Sequence, residues 1–325
     1  MKKGMVTATK LINLLADGHF HSGEKLAEAL TISRAAINKQ IKGLGELGLT
    51  VFSVQGKGYC LAQPLSLLDQ QQIADALSER RTVVLPMVDS TNQYLLERIS
   101  ELNSGDICVA EYQSAGRGRR GRQWLSPFGS NLYFSLYWHF PLGVADLSGL
   151  SLVIGIVLAE SLQQSGVHAI KVKWPNDLYL SGKKIAGILV ELVGKMNDSL
   201  HMIIGCGLNI GMQKDNYSER IEQLWTSLQQ ERYQVDRNQL VIALAQNLSV
   251  ALQQFAQQGL AAFLHKWPEL DYFWQKPVRL LLADKVIMGI DCGINEQGAL
   301  LLRQQDGSIT PYMIGEISLR DAEDE

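Results

Sequence analysis

Apolar positions keep two rhythms along the chain, helical up to about residue 44 and strand-like from residue 82 onward. Leu11, Leu14 and Leu15 within Thr7–Ala16 predict an amphipathic helix that Gly18 stops. Ser22 stands as an N-cap before Leu26, Ala27 and Leu30, although its Ser-x-x-Lys lacks the acid of a capping box. Ser33 caps a further helix, Arg34–Leu44, with Ala36, Ile37, Ile41 and Leu44 on one face. Ser33, Arg34, Asn38, Lys39 and Lys42 lie on its other side or near its start. Val51–Val54 and Tyr59–Leu61, joined through Gln55-Gly56-Lys57-Gly58, predict a hairpin. Beyond Pro64 a short helix, Asp69–Ser78, leads into the body.

The body alternates short strands with helices. Thr82–Pro86 and Asp106–Tyr112 read as strands, Leu132–Phe140 as a longer one, and Leu147–Gln164, apolar nearly all round, as a helix buried against the sheet. Asp89-Ser90-Thr91-Asn92 opens a helix carrying Tyr94, Leu95, Leu96 and Ile99. Ser90, Thr91 and Asn92 fit two readings there, plain caps or a small polar head-group site at a helix N-terminus. Lys171–Asp177 reads as one strand halted by Pro175; Lys173, Trp174, Asn176 and Asp177 suit either a surface turn or a site. Ser181–Lys184 turns into Ile185–Leu192, whose Gly187 marks a bulge or a ligand against the backbone. Its expected partner, His201–Ile210, carries Gly205 and Gly207, and two glycine-thinned strands side by side imply a flat slot. A lysine entering that slot needs an anionic partner. Gly211–Arg237 reads as a polar, variable loop around Trp225, and Lys276–Leu282, Val286–Ile290 and Ala299–Arg303 as strands of a small terminal unit.

Composition bounds the class. A chain of 325 residues exceeds one ordinary core, and 46% hydrophobic against 19% charged residues fits buried sheets and excludes a disordered chain. The richest apolar run, Leu147–Ala159, is broken by Gly149 and Ser151, short of the roughly 18 residues a membrane helix needs. The two lysines near the start are followed by Asn13, Asp17 and His19, which argues against a secretory signal. Cys60, Cys108, Cys206 and Cys292 are scattered without metal-site spacing, so reduced thiols in the cytoplasm are expected. Residues 1–63 hold eight Lys and Arg against four Asp and Glu, whereas the remainder holds 22 against 29. A basic first module suits a polyanion. Helix, tight turn, helix and hairpin together resemble a winged helix-turn-helix, with Arg34 and Asn38 for base edges and Lys39, Lys42 and Lys57 for phosphates. A small bundle for protein contacts is the competing reading.

The densest chemistry is Gly116–Arg122, three glycines and four arginines in seven residues. Glycine admits close backbone approach and guanidinium groups bind phosphate or carboxylate in pairs, so the segment reads as an anion loop unable to order by itself. A basic solvated stretch of the nucleic-acid type is the alternative, and the flanking strands favour the ligand loop.

GRGRRG, KWPNDL, the lysine of KKIAGILVE, and GCGLNI, in this order behind a winged helix, resemble the bifunctional bacterial biotin protein ligases over nearly the whole chain. The resemblance implies an α+β protein with a winged helix-turn-helix over 1–63, a mixed α/β catalytic domain over 64–270 and an SH3-like small β-barrel over 271–325. It implies that ATP and biotin form biotinyl-5′-adenylate, that a lysine of the biotin carboxyl carrier protein of acetyl-CoA carboxylase then displaces AMP, and that the chain represses a biotin operon at operator DNA. By the same resemblance Ser90, Thr91, Asn92 and Gln113 match the biotin head-group site. Arg117, Gly118 and Arg119 match the closing loop, Lys184 the catalytic lysine beside Arg119, and Gly187 the biotin slot. Lys173, Asn176, Asp177 and Asn209 match the nucleotide side, with Asp177 the chosen Mg²⁺ ligand. Trp124 either shields the nucleotide or belongs to the core. Arg320 either reaches the site or is a surface residue. Loop ordering by the adenylate leads us to expect a ligand-promoted homodimer. A lipoate-type acyl ligase, or a ligand-sensing repressor without ligase activity, are the other classes considered.

Overall fold

The computed structural model describes residues 3–140, 147–194, 200–213, 217, 221, 223–281, 285–313 and 318–321. Helices α1 (Lys3–Leu15), α2 (Gly23–Leu30) and α3 (Arg34–Gly43) pack with the hairpin β1 (Val51–Val54) and β2 (Gly58–Leu61). The Ser22 hydroxyl accepts from the Lys25 N–H and that of Ser33 from the Ala36 N–H, both at 3.2 Å, so each serine caps its helix as its position predicts. Leu11, Ile12, Leu15, Leu26, Ile37 and Leu44 form this unit's core, and Met87 and Phe128 of the following domain enter it. The Phe128 N–H donates to the Leu47 carbonyl at 2.9 Å, so the two units share both packing and a backbone bond.

After α4 (Gln70–Ala76), capped by Asp69, the body forms a seven-stranded sheet flanked on both faces. Its strands are β3 (Thr82–Leu85), β4 (Ile107–Ala110), β5 (Asn131–Phe140), β6 (Lys171–Lys173), β7 (Asp177–Leu180), β8 (Lys183–Val193) and β9 (Leu200–Asn209), in the order β3-β4-β5-β9-β8-β7-β6. Only β3 and β4 run parallel. Strand alternation divides the residues between two faces. Leu132, Phe134, Leu136 and Trp138 of β5, with Met202, Ile204, Cys206 and Leu208 of β9, join the main core with helices α6 (Leu150–Gln164) and α7 (Arg237–Gln258). The opposite face presents Ser135, Gly205, Gly207 and Gly187 to α5 (Thr91–Leu96) and to the arginine loop.

Several boundaries depart from expectation. The strand from Lys171 halts before Pro175 as expected, but Asp177 opens a second strand: Trp174-Pro175-Asn176 makes a turn and Lys173 pairs with Asp177 across it. Proline stops a ladder, and here the chain doubles back at once. Helix α6 begins at Leu150 because Gly149, at φ 80°, sits in the left-handed region ahead of it. Helix α5 ends at Leu96, so Ile99 falls in a following 3₁₀ turn. The 22-residue α7, capped by Asp236, was not anticipated. Within Gly211–Arg237, Leu224–Thr226 brackets Lys184 instead of looping away: the Lys184 N–H donates to Leu224 O at 3.1 Å and the Thr226 N–H to Lys184 O at 2.9 Å.

Arg237 staples the linker to the body. Its guanidinium is buried with Glu111 at 2.7 Å and donates to the Ser66 carbonyl at 2.9 Å. The terminal unit is a five-stranded antiparallel sheet of β10 (Pro277–Leu281), β11 (Val286–Ile294), β12 (Leu300–Arg303), β13 (Ile309–Tyr312) and β14 (Ser318–Asp321), ordered β13-β12-β11-β10-β14. It holds two strands more than the apolar pattern predicts. The Trp174 indole N–H donates to Gly298 O at 3.1 Å, tying this unit to the β6–β7 turn. No helix among the described residues is long and apolar enough to cross a membrane.

Candidate active site

Three elements converge on the glycine-thinned face. Gly187 of β8 and Gly207 of β9 are direct register partners, as the flat slot requires. The Trp124 indole lies on them: a Cβ on Gly207 would stand 2.5 Å from its ring and one on Gly187 3.2 Å. Trp124 is half-buried, its indole nitrogen enclosed and without a hydrogen-bond partner. It therefore covers the slot rather than joining the main core.

At one end of the slot stands the start of α5. The Ser90 hydroxyl caps the helix, accepting from the Gln93 N–H at 3.4 Å. Thr91 donates through its N–H (2.9 Å) and hydroxyl (3.1 Å) to Gln113 Oε1, and Gln113 Nε2 donates to the Ser126 hydroxyl at 3.0 Å. Asn92 Nδ2 donates to Glu191 Oε2 at 2.7 Å, and Ser135 Oγ lies 2.6 Å from Asn92 Oδ1 and 2.7 Å from Thr91 Oγ1. Ser90, Thr91 and Asn92 are all buried, so the segment is both a cap and a polar lining. Glu191, Ser135 and Ser126 were missed in the sequence. Glu191 stands four residues after Gly187, on the same face by strand alternation, which is the signal that marks it.

At the other end Lys184 Nζ pairs with Asp177 Oδ1 at 2.8 Å, the anionic partner such a lysine needs, and lies 5.8 Å from the Trp124 ring centroid. Arg119 Nη1 donates to Asn176 Oδ1 at 2.9 Å, while Asn176 Nδ2 donates to Ile188 O at 2.9 Å. Burial lowers the Arg119 pKa from its ordinary value, the neighbouring Arg120 charge acts the same way, and Asp177 opposes both. Guanidinium starts so high that it stays charged. Lys173 is buried with Nζ 3.1 Å from the Tyr179 hydroxyl. Asn209 is also buried, its amide donating to Thr226 O at 3.1 Å, so it anchors the stretch beside Lys184.

The loop itself is folded down. Arg117 pairs with Glu191 at 3.0 Å, and the Gly118 N–H donates to Arg122 O at 2.7 Å. The expectation that this segment has no means of ordering before an anion arrives is corrected in one respect: the chain supplies its own acceptors, Glu191 and Asn176, from distant strands. Far from this centre, Arg34, Asn38, Lys39, Lys42 and Lys57 are exposed on α3 and the β1–β2 turn, with Ser33 engaged as a cap. The described part of the site holds no group of three or more His, Cys, Asp or Glu able to cage a metal. The side chain of Arg320 lies outside the described residues, though its backbone pairs with Arg279.

Comparison with known proteins decides the family. Residues 84–209 match the Biotin/lipoate A/B protein ligase family, 7–60 an HTH domain and 276–320 the Biotin protein ligase C terminal domain. The bifunctional ligase/repressor BirA of Salmonella typhimurium strain LT2 is 55% identical over 323 residues, covering 99% of this chain and 100% of the relative. The chain belongs to the bifunctional biotin protein ligase family. The protein of the same name from Escherichia coli K12 is also 55% identical, with 97% of each chain covered. Among solved structures, the biotin protein ligase of Aquifex aeolicus in complex with biotin and ATP superimposes with TM-score 0.64 at 31% identity, over 74% of this chain and 99% of that one.

Proposed function

We propose that the chain is a biotin–carrier protein ligase that also acts as a biotin-responsive repressor. The observation that carries the enzymatic reading is the slot of Gly187 and Gly207, covered by Trp124 and ended by the Lys184–Asp177 pair at 2.8 Å and the Asn92–Glu191 bond at 2.7 Å. A thin, flat channel with polar groups at one end and fixed cations at the other suits a bicyclic urea with a carboxylate tail.

A biotin carboxylate oxygen attacks the α-phosphorus of ATP, the bond to pyrophosphate breaks, and biotinyl-5′-adenylate forms. The neutral amine of a carrier lysine then attacks the acyl carbon, and AMP leaves. Lys184 offers a point charge between carboxylate and phosphate, exchanging Asp177 for the transferring oxygens, while Arg119 presents a fork to the same anions. Positioning and charge neutralisation supply the catalysis. Cys206, on the core face of β9, and Cys108 are unfit as nucleophiles: burial pushes Cys206 up to about 12 and raises Cys108 further.

Asp177 gives one carboxylate, already bearing Lys184. That donor set fits a magnesium ion carried mainly by ATP phosphates, with Asp177 as its protein ligand, rather than a caged resident ion. Magnesium held there would shield phosphate charge. Lys173, Asn176, Asn209 and Trp124 form the nucleotide side.

The three domains run over 1–63, 64–270 and 271–325. The β1–β2 hairpin serves as the wing of a winged helix-turn-helix, with α3 entering the major groove of operator DNA, and the five-stranded terminal sheet forms a small SH3-like barrel. Adenylate strengthens the closed loop, which pairs two monomers so that two wings reach two half-sites. The carrier protein competes for that surface, in the cytoplasm. The test is to mix the chain with ATP, Mg²⁺, biotin and carrier and follow carrier mass. A carrier gaining one biotinyl group supports the reading; pyrophosphate exchange driven by lipoate in place of biotin defeats it.

A further inference from the structure

Behind α5, on the sheet face that carries the slot, two histidines stand side by side. His139 of β5 and His201 of β9 are direct register partners, so both leave the same face. Their ring centroids are 5.1 Å apart with planes inclined by 39°. Tyr137 shares that face two residues earlier and places its hydroxyl 2.7 Å from Nδ1 of His201. Tyr137, His139 and His201, with Leu102, Asn103 and Ser104, line a cavity of about 330 Å³. The active-site residue on the same strand, Ser135, is four positions away, roughly 13 Å along β5.

We infer that this cavity is a binding site for a divalent first-row transition ion of the zinc, nickel or copper class. The spacing fits. Metal–imidazole bonds of about 2.0–2.1 Å, meeting at between a right and a tetrahedral angle, set two ring centroids about 4.5–5.2 Å apart. The observed separation of 5.1 Å lies in that range. The orientation also fits. Tyr137 engages Nδ1 of His201 and leaves Nε2 as the ring's other ligand atom; when Nδ1–H donates to the phenol oxygen, Nε2 presents its lone pair to the cavity. The remaining coordination positions fall to water, at about 30 Å³ each, and to the oxygens of Asn103 and Ser104 that share the cavity. Imidazole donors select these ions over magnesium, so this site and the Mg²⁺-dependent centre draw on different metals.

The test uses the untagged full-length chain. Calorimetric titration with zinc or nickel is expected to give one equivalent bound, and the copper(II) form to show coupling to two imidazole nitrogens by electron paramagnetic resonance. His139→Ala or His201→Ala weakens binding by roughly 30-fold or more, and Tyr137→Phe by roughly tenfold. Carrier biotinylation in magnesium alone stays at the wild-type rate in all three, which shows that they fold. Stoichiometric binding that survives the double alanine variant overturns the assignment. So does binding that disappears instead with His21→Ala, whose ring faces Asp17 at 3.0 Å in the first domain. Absence of binding to the wild-type chain overturns it as well.

Discussion

Arg117 of the arginine loop closes on Glu191 of β8 at 3.0 Å, through the same carboxylate oxygen that accepts from Asn92 at 2.7 Å. One carboxylate thus links the loop to the polar end of the slot. The Arg117 side is part-exposed, so that ion pair alone contributes only about 0.2–1 kcal/mol. The Asn92 side is buried, and removing its acceptor leaves the amide only a long bond to the Leu189 carbonyl at 3.4 Å, a loss of about 1–3 kcal/mol. Glu191→Ala is therefore expected to raise KM for biotin by roughly tenfold with kcat little changed, and Arg117→Ala to raise it less than fivefold. Steady-state adenylate formation measures both, and equal effects would separate the carboxylate from the head-group site.

Arg119→Gly removes the donor to Asn176 and a charge placed for phosphate. A hydrogen bond from a charged group contributes about 1.5–3 kcal/mol, so the adenylate should leave roughly 10- to 100-fold faster. Escaped mixed anhydride labels lysines at large. Incubation with biotin, ATP and an unrelated protein measures this, and labelling confined to the carrier while adenylate still forms would remove Arg119 from retention.

Gly207→Ala drives a methyl group to 2.5 Å from the Trp124 indole. Overpacking of this kind costs about 1–3 kcal/mol. The variant should melt lower and bind biotin more weakly, and adding Trp124→Ala should restore most of the melting temperature. A double variant no more stable than Gly207→Ala would show that the indole does not lie on this glycine.

Much of this arrangement is legible from residue types. Glycines inside the apolar strands of residues 185–192 and 201–210 have no reason to be there except thinness, and Lys184 entering such a face demands an anion, which Asp177 supplies. The alternation that places Leu132, Phe134 and Leu136 on one face is equally open to reading. What escaped is pairwise. Nothing local to Gly116–Arg122 shows that Glu191 and Asn176 wait on other strands, so the loop reads as unable to order. Pro175 reads as a strand stop, although turn chemistry at Asn176 starts a new strand at Asp177. Helix α7 escaped because its outer face is rich in Gln, yet Leu240, Leu244, Leu248, Leu252 and Phe255 keep the helical period.

Asp291 and Asp271 are buried where β11 meets the residues after α8 (Trp267–Leu270), and burial raises both pKa values, with Asp271 raising Asp291 further. One Asp291 oxygen accepts from the Gly293 N–H at 2.6 Å, and the other is buried with no partner. A carboxyl raised in the folded state binds its proton more tightly there than in the unfolded chain. Its contribution is fully present below the ordinary carboxylate pKa and is lost as pH rises through the folded value. Stability of the wild-type chain should therefore fall as pH rises above the ordinary carboxylate range. Asp291→Asn, which carries no charge, should melt higher than wild type at neutral pH and show a flatter pH dependence. Parallel slopes for the two proteins in thermal melts would mean that Asp291 is ionised in the native state.

The path from the slot to the DNA-binding unit is short. Gln113, bonded to Thr91, donates to Ser126; two residues on, Phe128 is 1% exposed in the core of the first domain and donates its N–H to Leu47. Gly48 follows at φ 83°, packed so closely on Pro127 that a Cβ there would stand 2.8 Å from its ring. Phe128 thus joins the Gln113–Ser126 end of the slot to the turn after α3 through one packed side chain. Phe128→Ala costs about 3–5 kcal/mol of packing between the units. Where loop ordering bears on the DNA-binding unit through this joint in addition to the proposed pairing of monomers, loosening the joint should leave biotinylation within about twofold of wild type while the response of DNA affinity to biotin plus ATP shrinks. Gel-shift titrations with and without the two substrates measure that ratio. An unchanged ratio in the alanine variant would show that the signal travels by another route.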